Sequence, residues 1–171
     1  MIKTYLRFAL LFILMVLVQV VCNHICLWGV AVPLLYVYFI VRLPINLSAN
    51  WTMTLAFLLG LVIDIFSNTQ GMNALACTIT AALRRFIFAL YFSREDDLSD
   101  PEPSVRTLGA GIYIKYLLTL MLVFCTLLFT IQAFTLHNIQ TTILRIACST
   151  ILSTALIFGI DSLNSSREKG L

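Results

Sequence analysis

Residues 57–75 read FLLGLVIDIFSNTQGMNAL. One acid, Asp64, closes an apolar run, the uncharged turn Ser67 to Gly71 follows, and a second apolar run opens at Met72. A carboxylate in or beside hydrocarbon is expensive, so an acid kept there marks a site. Helical steps back from Asp64 place Gly60, Phe57 and Met53 on one face. With no side chain, Gly60 lets another helix come close to that face.

The rest of the chain makes hydrocarbon the relevant solvent. Of 171 residues, 60% are hydrophobic and 11% charged, against about 25% charged in an ordinary soluble domain. Apolar runs of roughly the 17–25 residues that cross a bilayer recur along it. Ten-residue alternating segments, the mark of a membrane barrel, do not. The expected fold is therefore an all-α polytopic membrane protein, a single integral domain over 1–171, with six transmembrane helices near 6–21, 27–41, 51–66, 72–92, 112–132 and 139–161. The first run is read as a retained span, because no small-x-small cleavage site follows Val21. The second is short and holds Pro33, which removes a backbone donor and predicts a broken or tilted element. In the fourth, the pair Arg84-Arg85 suggests that the span ends near Leu83, with both arginines at the headgroups and Phe86 to Phe92 along the interface. Residues 93–111 carry five acids, two arginines and two prolines, and read as an exposed acidic loop.

Lysine and arginine set the orientation. With the N-terminus in the cytoplasm, Lys3, Arg7, Arg42, Arg84, Arg85, Arg94, Arg106, Lys115, Arg167 and Lys169 fall inside, and the outer connections hold none. Both termini are thus expected to be cytoplasmic. The net charge of +3 says little about nucleic acid, and no nucleic-acid partner is expected.

Arg145 is the exception, in the outer half of segment six. Thr142, Arg145, Ser149 and Ser153 share one stripe of that helix, and a polar stripe in lipid faces the bundle interior or a cavity. Asp64 lies at a similar depth, so an Asp64–Arg145 ion pair joining segments three and six is one expectation. The other is that each snorkels separately to the headgroups. Asp64 has a second possible role, capping the start of segment four through its backbone N–H groups, with Gly71 supplying a flexible backbone position. Asp161 is expected to be solvated near the cytoplasmic end of segment six. The candidate structural and interaction residues are Gly60, Asp64, Gly71, Arg85, Arg145 and Ser149. No nucleophile elbow, HExxH or P-loop is present, so no catalytic residue and no cofactor are expected. Cys22 and Cys26, even with His24 or His137, fall short of a metal-ligand set.

GLVIDIFSNTQGMNAL resembles the pattern G-L-x-x-D-x-x-S, then G-x-x-A-L, of the bacterial rod shape-determining MreD family. Gln19 and Asn23 at the end of segment one, Pro33, Tyr36 and Tyr38 in segment two, Pro44 after it and Arg85 closing segment four agree in order. The likeness covers Gln19 to Arg85; beyond that it is one of hydropathy, and Asn73 carries no special role in it. The resemblance implies a non-enzymatic inner-membrane component of the elongation machinery. Its partners would be the bitopic protein MreC, the filament protein MreB, a RodA-type polymerase with its transpeptidase, the lipid bilayer and a second copy of the chain. It also implies a fold similar to the substrate-binding component of energy-coupling-factor transporters, six helices around an outward cavity. A transport component is the alternative function. The A-x-x-x-A surface such components present on their first helix is missing here, since that segment holds only Ala9.

Overall fold

The structure is a computed structural model that describes residues 2–22, 32–92, 102–133 and 139–167. Its elements are α1 (Ile2–Cys22), α2 (Val37–Arg42), α3 (Ala49–Ser67), α4 (Met72–Tyr91), α5 (Val105–Leu108), α6 (Ala110–Ala133) and α7 (Ile139–Arg167), and no strand occurs among the described residues. Four stretches are long and apolar enough to cross a membrane: Ala49–Ser67, Met72–Tyr91, Ala110–Ala133 and Gln140–Leu163. Leu6–Cys22 is a shorter apolar helix. Leu6, Leu10, Ile13 and Leu17 on α1, Ile65 on α3, Phe86 and Leu90 on α4 and Ile143 and Ile151 on α7 all face outward. Such a surface is consistent with an integral membrane protein, because lipid tails cover apolar side chains at no cost.

The bundle is built around its second segment. Residues 32–34 carry no regular structure, Leu35 and Tyr36 turn, and α2 adds six residues. Every residue from Pro33 to Leu43 is buried, and an element apolar on all sides belongs at the centre of a bundle. The break expected at Pro33 is present; residues 27–31 of the expected span lie outside the described residues. Around this axis α3 and α4 pair as a hairpin, α6 packs on α4 and α7, and α1 lies against α3. Rings lock the axis in place: Tyr36 meets Phe124 of α6 edge-on at 5.6 Å, and Phe39 meets Phe12 of α1 edge-on at 5.4 Å, the favoured aromatic geometry.

Three expectations are corrected. Arg84 does not turn outward from the bundle. It is buried and donates from Nε to the Tyr116 hydroxyl at 3.2 Å and from Nη2 to the carbonyls of Val41, at 3.3 Å, and Leu43. A guanidinium on the carbonyls that end α2 satisfies groups a helix C-terminus leaves open. Nor does the span stop at Leu83, because α4 runs unbroken to Tyr91 with Ile87 and Phe88 in the core. Phe57 leaves the expected face: it is 45% exposed, and the buried stripe of α3 is Thr52, Ala56, Leu59, Gly60, Ile63 and Asp64.

Candidate functional site

Asp64 sits in the last turn of α3, where the helix dipole disfavours a negative charge. The start of α4 reverses that balance. Asp64 Oδ2 accepts from the Ala74 N–H at 2.8 Å. Its Oδ1 accepts from the Asn73 N–H at 3.1 Å, from Asn73 Nδ2 at 2.9 Å and from the Thr69 hydroxyl. The carboxylate therefore caps α4 from across the turn, and it is 3% exposed. The turn needs two left-handed residues, Asn68 at φ 53° and Gly71 at φ 75°, positions that asparagine and glycine tolerate. The capping role expected for Asp64 and the conformational role expected for Gly71 are both seen.

Gly60 makes the joint possible. A Cβ there would lie 2.5 Å from Ala74 Cα, 2.6 Å from Ala74 N and 2.6 Å from the Asn73 carbonyl oxygen. The backbones of α3 and α4 thus meet where Asp64 reaches across. Tyr36 extends the network by donating its hydroxyl to Asn73 Oδ1 at 2.7 Å. Asn73, given no role from sequence, is the hub between the central segment, the turn and the acid. A signal was available: it is the first carboxamide after Gly71, within one turn of the N-terminus that Asp64 was expected to cap.

The polar stripe of α7 has a definite task. Non-helical backbone at membrane depth needs partners from the protein, since lipid offers none. Ser149 Oγ accepts from the Val32 N–H at 3.1 Å, and Ser153 Oγ accepts from the Leu34 N–H at 2.9 Å. From the other side Gln19 Oε1 accepts from the Leu35 N–H at 3.0 Å, and Gln19 Nε2 donates to the Pro33 carbonyl at 3.1 Å. Pro33 has no N–H to satisfy.

Beside this network lies a cavity of about 380 Å³. The C-terminal ends of α1, α3 and α6, the stretch leading into α2, the turn before α4 and the first turn of that helix, and Arg145 of α7 line it. Its polar wall includes Gln19, Tyr36, Thr69, Asn73, Gln132 and Arg145, and its apolar wall includes Ile63, Phe66, Leu128 and Phe129. Arg145 is half-buried there. Among the described residues the ion pairs are Arg7–Glu102, Arg42–Glu102 and Arg42–Asp161, so the expected Asp64–Arg145 pair is not formed. The acid is held by α4 instead, and the guanidinium faces the cavity lining. A larger depression of about 620 Å³ between α1, α2 and α3 is lined by Phe8, Phe12, Phe39, Leu55 and neighbouring apolar groups. With no polar group to orient a guest, it specifies nothing beyond hydrocarbon.

The opposite end of the bundle carries the other polar cluster. Asp161, expected to be solvated, is 1% exposed. Its Oδ1 accepts from the Tyr38 hydroxyl at 2.8 Å and pairs with Arg42 Nη1 at 3.3 Å, while Oδ2 accepts from the Val105 N–H at 2.8 Å. Arg42 also reaches Glu102 at 3.2 Å, and Arg7 reaches the same carboxylate at 3.7 Å. The expected loop 93–111 is therefore docked where it is described. Ser104 and Thr107 form a reciprocal cap on α5, and Leu108 is buried; residues 93–101 lie outside the described residues. Arg85 is exposed on α4 and is not part of the cavity lining. No group of three metal-ligating side chains occurs among the described residues; Cys26, His24 and His137 lie outside them. Comparison of the chain with protein-family models, curated proteins and solved structures finds no match.

Proposed function

We propose that this chain is a non-enzymatic inner-membrane scaffold of the MreD type. It would have six membrane crossings with both termini in the cytoplasm and would couple MreB and MreC to lateral peptidoglycan synthesis by a RodA-type polymerase and its transpeptidase. The observation that carries the reading is what the motif residues do. Gly60 permits the closest approach of α3 and α4, Asp64 caps α4, and Gly71 turns the chain between them. Both oxygens of Asp64 are engaged by donors of its own fold, which suits a rigid joint better than a general base that must exchange a proton. In this reading the second segment counts as a crossing through its extended and helical parts together, and α1 as a short one. The gathering of Arg7, Arg42 and Arg84 at one end supports a cytoplasmic assignment of that end.

A substrate-binding transport component is the second reading, and the cavity beside Arg145 favours it. Co-purification separates the two. A C-terminally tagged chain, lightly crosslinked in native membranes and extracted in mild detergent, is expected to bring down an MreC-like protein with cell-wall synthases. Recovery of a coupling subunit with ATPases would replace the scaffold reading with the transport one.

A further inference from the structure

The 380 Å³ cavity is built unlike the rest of the membrane-embedded surface. It falls within the roughly 300–1,000 Å³ of pockets that hold small molecules. Among the described lining residues Arg145 is the one charged group, and it has no carboxylate partner there, because Asp64 is turned into the cap of α4. A guanidinium at the edge of hydrocarbon is costly unless an anion meets it, and the guanidinium fork matches phosphate geometry best. The Gln132 carboxamide shares the lining, while the Thr69 hydroxyl and the Asn73 N–H groups are spent on Asp64 and on each other, so Arg145 carries the anion recognition. Carbon lines the cavity through Ile63, Leu128 and Phe129, all buried, and through Phe66, which is 63% exposed. A guanidinium beside an apolar wall that reaches an exposed phenyl ring is the chemistry of an amphiphile's site.

We propose that this cavity binds a phosphate-bearing amphiphile, with the phosphate on Arg145 and the first part of its tail against Phe66, Leu128 and Phe129. The proposal is independent of the cell-elongation reading, since it concerns only what the cavity holds.

The test uses the full-length chain in nanodiscs of phosphatidylcholine, titrated with short-chain phosphatidylglycerol or with inorganic phosphate, and read by native mass spectrometry and thermal melting. The wild-type chain is expected to retain phosphatidylglycerol saturably and to melt higher with it. Arg145→Gln is expected to weaken retention about tenfold or more, and Phe66→Ala to weaken it less. Arg85→Gln, which removes an exposed charge outside the cavity, is expected to leave retention unchanged. Equal loss in Arg145→Gln and Arg85→Gln would overturn the proposal, as it would reflect general attraction to anionic lipid. Inorganic phosphate binding as tightly as the lipid would overturn it too, since the tail would then contribute nothing. Should Arg145→Gln fail to fold, the Phe66→Ala and Arg85→Gln pair still decides, because only a cavity-bound tail distinguishes them in that direction.

Discussion

At the scale of single residues, the fold turns on the absence of one side chain and the presence of another. Gly60 has no room for a methyl group, because the obstacle is the backbone of Ala74 and Asn73 rather than a movable side chain. Gly60→Val is expected to push α3 and α4 apart and to cost about 1–3 kcal/mol or more, seen as a lower melting point in detergent. Asp64→Ala strands the Asn73 and Ala74 N–H groups at a buried helix start and takes one acceptor from the Asn73 carboxamide. Charge-assisted bonds of this kind are worth about 1.5–3 kcal/mol each, and they do not add fully. The expected loss is about 3 kcal/mol, with Asp64→Asn retaining part of the cap. Equal melting points for Asp64→Ala and the wild type would refute the capping account. The acid, the glycine and the turn were legible in the sequence, because each breaks an otherwise apolar pattern. The Asn73 hub was not, because carboxamides bond in any direction and the partner Tyr36 lies 37 residues away.

At the scale of elements, the second segment is the informative one. Pro33 announced its break, but nothing local announced who would satisfy the freed backbone. Ser149→Ala with Ser153→Ala removes both hydroxyl acceptors from α7. An unmet buried donor costs about 1–3 kcal/mol, while interhelical polar contacts in membranes average nearer 0.6, so the double variant is expected to lose about 1–3 kcal/mol. The sharper readout is hydrogen exchange. The Val32 and Leu34 amides should exchange faster, while the Leu35 amide, held by Gln19 on α1, stays protected. Uniform exchange across all three would mean that the serines hold nothing locally. Arg84 illustrates the limit of position-by-position reading. An arginine near a span end snorkels by default, and only the carbonyl terminus of α2, 41 and 43 residues earlier, gives it a reason to turn inward.

For the whole molecule, the two polar ends do different work. One surrounds a cavity. The other is a closed lattice in which Asp161 joins α2, α5 and α7. Removing one member of a buried ion pair is more damaging than the pair is stabilising, because the survivor is left charged and dry. Asp161→Ala is expected to cost about 3–5 kcal/mol on that basis and to speed exchange at the Val105 amide. Arg7→Ala should cost under about 1 kcal/mol, since its side chain is 50% exposed and such pairs are weak. Hydropathy gave the four long helices directly. The acid lattice stayed hidden because a carboxylate near a membrane edge looks solvated until the element that covers it, here α5, is in place.

The serines of α7 follow the backbone they serve by 117 and 119 residues. During synthesis, then, Val32 and Leu34 are made long before their partners, and α7 follows every other described helix. The centre of the bundle therefore closes only once α7 has been made. A ribosome product cut short before α7 would carry an open seam through its middle and offer membrane quality control a clear mark of incompleteness.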